Sequence, residues 1–172
     1  MALLTIRTIP DPILRLKAEP VDGVDEDLRQ LLSDMAETMY ANDGIGLAAP
    51  QVARSVRAIV VDARDKEERG DPEGLLRLVN PVIAEAEGTV CFEEGCLSVP
   101  ELRADVKRHE RVLVKAIDAD NEPVEIEAED LLAIVLQHEM DHLDGILFID
   151  HIGRLKRELY MRKLRKEASK NA

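Results

Sequence analysis

Residues 129–145 read EDLLAIVLQHEMDHLDG, and this stretch decides the fold. Leu131, Ile134 and Val135 recur at helical spacing ahead of His138. Glu129 and Asp130 suit a first turn, where carboxylates complement the helix dipole, and Gly145 suits the stop. The pattern predicts a helix from about Asp130 to Asp144. His138 and His142 are four residues apart, so they project from one helix face and can hold one metal ion, while Glu139 stands beside them to move protons. The same H-E-x-x-H spacing also arises by chance, and paired histidines can be hydrogen-bonded core residues.

Strand-like segments surround that helix: VRAIVVDA, LLRLVNP, VIAEAEGTV, RADVKR, RVLVKAID and PVEIE, several with period-two alternation. Leu28, Leu31, Leu32, Met35 and Met39 predict an earlier helix from about Asp25 to Asn42, and a basic helix ends the chain. RDKEERGDPEG reads as a charged surface loop. With 172 residues and no repeat or low-complexity linker, the expectation is α+β: one compact catalytic domain over 1–172. Antiparallel or mixed sheets surround a central H-E-x-x-H helix, and 151–172 form a basic C-terminal helix.

A composition of 45% hydrophobic and 34% charged residues is that of a globular chain, with no disordered or membrane-spanning stretch. MALLTIRTIPDP is too short an apolar run for an export signal and is broken by Arg7, Pro10 and Pro12. Two cysteines, Cys91 and Cys96, and no export signal point to a reducing cytoplasm. A net charge of −12 argues against a nucleic-acid-binding body. Residues 151–172, however, set eight Lys/Arg against Glu158 and Glu167, about +6, which leaves about −18 for the remainder. Such asymmetry fits a partner-binding end or a solvated helix; Ile152, Leu155 and Leu159 offer an apolar stripe to dock it.

Two histidines leave a catalytic metal site one protein ligand short. A third histidine six residues beyond His142 would give one protease pattern, but position 148 is Phe; Glu158 lies in the basic tail. CFEEGCLSVP, residues 91–100, offers Cys96 on an extended segment, and a metal takes a thiol as thiolate. A closed Cys2His2 site using Cys91 as well is the structural alternative. It leaves Glu139 without a task, and alternation puts the two cysteines on opposite faces unless Gly95 bends the strand. Cys96 is therefore expected as ligand and Cys91 as a small core residue.

GIGLAAPQ, residues 44–51, fits a dinucleotide fingerprint with Gly44, Gly46 and Ala49, but that motif needs a strand before it and a helix after. Here a helix precedes and a strand follows, so nucleotide binding is set aside. GIGLAAPQ, EGCLSVP and QHEMDH, in this order, resemble the three signature motifs of the peptide deformylases, and the likeness spans roughly residues 3–160. The resemblance implies a metal-dependent hydrolase that removes the formyl group from N-terminal formylmethionine of newly made proteins. It implies Cys96, His138 and His142 as metal ligands, Glu139 as general base then acid, and Gln51 with the Leu97 backbone N–H as oxyanion stabilisers. It also implies one divalent ion, natively Fe2+ with Zn2+, Ni2+ or Co2+ able to replace it, and a basic C-terminal helix that docks on the ribosome. No membrane and no sequence-specific nucleic acid are expected as partners.

Small residues at Gly44, Gly46 and Ala48 would let an extended substrate lie against this segment as an added strand. Leu131, Ile134 and Val135, with Ile45, could enclose the methionine side chain; for Leu131, ordinary core packing is an equal alternative. An H-E-x-x-H peptidase and a structural-zinc binding module remain the other readings at this point.

Overall fold

Ala58, Ile59, Val60 and Val61 are all fully buried, which a strand achieves only when both faces of its sheet are covered. In the computed structural model, which describes residues 2–171, these four form β2 (Ala58–Val61). The sheet has the order β1 (Gly46–Ala48), β2, β3 (Leu76–Glu87), β6 (Arg111–Ile117), β7 (Pro123–Glu129). Strands β4 (Val90–Cys96) and β5 (Val99–Arg108) form a separate hairpin, and every strand pair is antiparallel. Alternate residues of β2 serve opposite faces. Ala58 and Val60 join the apolar cluster of α1 (Glu26–Ala41), whereas Ile59 and Val61 join that of α2 (Asp130–Leu143).

Helix α1 starts where the Asp25 side chain accepts from the Leu28 amide, and it buries Leu28, Leu31, Leu32, Met35 and Met39. Helix α2 lies between the sheet and the β4–β5 hairpin. Ala133, Leu136, Met140 and Leu143 meet the sheet. A third cluster fills the hairpin side with Val99, Ala104, Val106, Phe148, Ile149 and Tyr160, and Phe148 stacks on His138 at 6.1 Å between ring centroids. Gly145 ends the helix at φ +72, and a Cβ there would meet the Arg15 carbonyl oxygen at 2.5 Å. Its missing side chain lets the N-terminal segment lie on the helix end.

The α+β class, the central helix and the exposed charged loop 64–74 stand as expected; two details differ, and the loop gains an anchor. The two strands expected on either side of Pro81 are one strand, β3, with register shifts beside it. Asn80 adopts φ 51, so the proline sits in a bulge where the ladder needs no N–H, not in a turn. Loop 64–74 is pinned to the body, because Arg64 grips buried Asp62 through two nitrogens at 2.8 Å while the Tyr40 hydroxyl donates to the same carboxylate at 2.7 Å. Helix α3 (Arg154–Lys170) does not dock through Leu155 and Leu159, which are 72% and 54% exposed. Tyr160 docks it, donating its hydroxyl to the Pro100 carbonyl at 2.7 Å, with Ile152, Met161 and Leu164 packed around it. That face lies roughly 140° around the helix from Leu155. No helix among the described residues is long and apolar enough to cross a membrane.

Candidate metal centre and catalytic cleft

Alternation along β4 aims Glu94 and Cys96 to one side, toward α2, where His138 and His142 face them. One ligand atom from each of Cys96, His138 and His142 lies within 4.8 Å of the other two, and Cys96 Sγ is 3.4 Å from His142 Nε2. A thiol and two imidazoles converging this closely form a group that could hold a divalent metal ion. Cys91 takes no part. It is exposed, which removes both the closed four-ligand alternative and the expectation of a core residue, because it lies on the outward side of the hairpin.

The histidines have different surroundings. His138 Nδ1 lies 2.8 Å from Glu94 Oε1, leaving Nε2 for a metal. Glu94 is in turn held bidentately by Arg108 at 2.8 and 2.9 Å, and Arg108 reaches Asp141 at 2.6 Å. Glu94 and Arg108 side chains are each only 4% exposed. Burial raises the Glu94 carboxyl, but the hydrogen bonds from Arg108 and His138 more than offset it and hold it at about 2. For His142, burial and the neighbouring cationic groups keep the imidazole well below its ordinary range, the neutral form a metal ligand needs.

Glu139 is 4% exposed and its Oε2 has no hydrogen-bond partner among the described residues. Burial pushes its carboxyl up to about 7. A carboxyl poised there can take and return a proton near neutral pH. A Cβ at Gly46 would fall 2.5 Å from Glu139 Oε1, and one at Gly44 3.1 Å from Leu97 Cδ1. These glycines therefore make room for the protein's own side chains, a tighter requirement than room for a substrate. Ala48 is fully buried in the α2-side core and does not face the cleft.

Gln51 is fixed at both ends. Its Oε1 accepts from the Ala48 amide at 2.9 Å, its Nε2 donates to Ser98 Oγ at 3.0 Å, and the same nitrogen lies 3.6 Å from Cys96 Sγ. Leu97 occupies the turn between Cys96 and β5. A cleft of about 620 Å³ collects these groups, with Ile45, Gly46, Leu131, Ile134 and Val135 also in its wall. His142 lies deeper, 1% exposed. Sequence reasoning missed Glu94, Arg108 and Ser98; a carboxylate two residues before Cys96 on an alternating strand was the available signal for the first.

The polypeptide deformylase family model matches residues 3–158. A peptide deformylase of Syntrophobacter fumaroxidans is 50% identical over 167 residues, 97% of this chain and 96% of that one. The crystal structure of a peptide deformylase from Legionella pneumophila superposes with a TM-score of 0.89 at 45% identity, covering 99% of this chain and 98% of that one. One from Ehrlichia chaffeensis, in complex with actinonin, gives 0.90 at 38% identity, over 97% and 98%. Likeness this close, along nearly the whole length of both partners, leaves a single assignment: the chain belongs to the peptide deformylase family.

Proposed function

We propose that the cleft performs the deformylase reaction, removing the formyl group from the N-terminal formylmethionine of newly made chains, with each residue in a definite role. Cys96, His138 and His142 hold one divalent ion, and the residues fit it: a thiol, a neutral buried imidazole and a second imidazole whose outer nitrogen is already engaged by Glu94. When bound, such an ion supplies hydroxide near neutral pH and polarises the carbonyl. Ferrous iron is the native metal in this reading, with zinc, nickel or cobalt as replacements, since a thiolate and two imidazoles accept several ions.

Glu139 takes the proton of the attacking water and returns it to the leaving amine. The Gln51 amide cannot flip without losing the Ala48 and Ser98 bonds, so its N–H stays aimed beside Cys96, where negative charge develops on the formyl oxygen; the Leu97 N–H is the second donor. Strand β1 is the sheet edge, so its free side can pair with an extended peptide. Ile45, Leu131, Ile134 and Val135 then enclose the methionine side chain. The observation that carries this reading is the unpartnered Glu139 carboxylate buried beside the converged Cys96, His138 and His142. Supplying formyl-Met peptides and their unformylated counterparts tests it: release of formate from the first is expected, and cleavage of internal bonds alone would overturn it.

Helix α3 carries Lys and Arg outward, and the reading extends to ribosomal RNA as its partner, bound through phosphates without sequence preference. The two free cysteines suit the cytoplasm as the place of action. Because Tyr160 seals part of the core, removing the helix is a poor test. Exchanging Arg162, Arg165 and Lys166 for Gln should instead weaken ribosome co-sedimentation, most visibly at low salt; salt-insensitive, undiminished binding overturns the docking role.

A further inference from the structure

Loop 64–74 is organised around one buried carboxylate. Asp62, 1% exposed, accepts from Arg64, Tyr40 and the Gly70 amide, and its own amide donates to the Ile45 carbonyl at 2.9 Å. Arg64 also donates to the Asp71 carbonyl at 3.0 Å. Gly74 lacks a side chain because a Cβ would overlap the Arg64 guanidinium. The loop is thus a strap fixed beside the entrance end of the edge strand, and Lys66 reaches Asp43 there at 3.7 Å.

Arg69 points from this strap into the wall of the catalytic cleft. It is half-buried, and its Nε donates to the Arg64 carbonyl at 2.8 Å, which fixes the guanidinium plane. Its two Nη groups make no ion pair or hydrogen bond among the described residues. The charges near it are differently placed: Asp43 is paired with Lys66, and Glu101 with Lys163 at 3.5 Å. Arg103 adds a second positive charge to the cleft wall, and Glu93, also in the wall, makes no ion pair among the described residues.

We infer that Arg69 is a specificity-determining residue, a preset fork that receives a carboxylate side chain from one of the first three residues after the formylmethionine. The inference rests on the strand-addition reading above. With the formyl end beside Cys96 and Glu139, a peptide running along β1 leaves past Gly44 and Asp43, and at ~3.3 Å per residue two or three residues bring it beneath the strap. A planar guanidinium with a tethered Nε presents its remaining donors in the geometry a carboxylate accepts. The body's own negative charge would otherwise disfavour acidic peptides.

The test is a panel of formyl-Met peptides carrying Glu, Gln or Lys at the second, third or fourth position, read as kcat/KM. At the favoured position, Glu should exceed Gln by about three- to tenfold, the range between an exposed ion pair and a charged hydrogen bond, and the preference should fall with salt. Arg69→Gln should bring the Glu/Gln ratio to near one and Arg69→Lys should restore part of it, while Lys66→Gln on the same strap keeps it. Equal Glu and Gln rates in the unaltered protein, or a ratio unchanged in Arg69→Gln, overturn the inference while leaving deformylation standing. Equal losses on all peptides in Arg69→Gln would make the residue a structural part of the strap and also overturn it. Failure to release formate from any peptide would overturn the catalytic reading itself.

Discussion

Helices α2 and α3 have 14 and 17 residues, and both carry many ionisable side chains, yet they are opposite kinds of object. Helix α2 buries ten of its residues, among them Gln137, His138, Glu139 and His142; α3 buries Tyr160 alone. Around α2 the charges are held in a chain from His138 through Glu94 and Arg108 to Asp141. On α3 they stand in water, as with Arg154 and Glu158, whose side chains are 85% and 55% exposed. Removing one member from a buried chain strands its partner in a low dielectric, whereas an exposed pair loses little. The environment of each helix, and not its count of charges, decides what a substitution does.

The sharpest way to break this contrast is at Glu139. Glu139→Gln keeps the shape but cannot accept a proton, so formate release should fall about 10²–10⁴-fold. Metal content should stay unchanged; a variant retaining most of its activity would remove Glu139 from proton transfer. Cys96→Ala should lose metal sharply, while Cys91→Ser, on the exposed side of β4, should keep it, as metal analysis of protein purified without oxygen would read.

Next in size is Arg108→Ala. It leaves Glu94 buried without its cation, and the expected loss is about 3–5 kcal/mol in denaturant unfolding. Arg154→Ala on α3 should cost within about 0.5 kcal/mol. Similar losses in the two variants would erase the distinction between the helices.

Asp62 tests whether a buried carboxylate outside the metal centre behaves like Glu94. Burial raises its pKa, but hydrogen bonds from Arg64 and Tyr40 more than offset this and hold it at about 2. Above about pH 4 the unfolded carboxyl is ionised as well, so the stabilisation is fully present. As pH falls below that, the unfolded chain takes up the proton first, and the stabilisation disappears as pH passes through the folded value. The stability gap between the unaltered protein and Asp62→Asn should therefore be about 1–2 kcal/mol at pH 6 and shrink toward zero near pH 2. A gap constant with pH would show that lost packing, not charge, sets the cost.

The same contrast explains what the sequence made legible. The α2 face was readable because only one arrangement of Leu131, Ile134, His138 and His142 satisfies helical spacing, and because ligand chemistry restricts the residue types. The β2 run was readable since four consecutive apolar residues need cover on both sides. The Glu94–Arg108 pair joins residues 14 apart on two strands, and no local period announces a cross-strand register. The role of loop 64–74 was hidden for a related reason: its many charges read as solvated, while the group that organises it, Asp62, belongs to the end of an apolar strand. Gly46 looked like a concession to the substrate, and only the packed position of Glu139 shows the nearer cause.

The smallest expected effect lies on α3, where Ile152 packs as the sequence suggested but Leu155 and Leu159 do not. Ile152, Leu155 and Leu159 are the more apolar set, so spacing alone favours them. Tyr160 wins because docking needs a partner for polar groups as well as buried area: its ring joins Val99 and Val106, and its hydroxyl satisfies the Pro100 carbonyl at the start of β5. Tyr160→Phe keeps the ring and strands that carbonyl, which should cost about 0.5–1.5 kcal/mol. Leu155→Ser and Leu159→Ser, at 72% and 54% exposed positions, should each change stability by less than about 0.5 kcal/mol. Both measurements come from one denaturation series, with helix content checked by circular dichroism. Because Pro100 lies only four residues beyond Cys96, Tyr160→Phe is also the α3 change best placed to alter metal retention. Should the leucine variants prove the costlier ones, the helix docks in solution through Leu155 and Leu159, and the hairpin beside the metal site is held by something other than Tyr160.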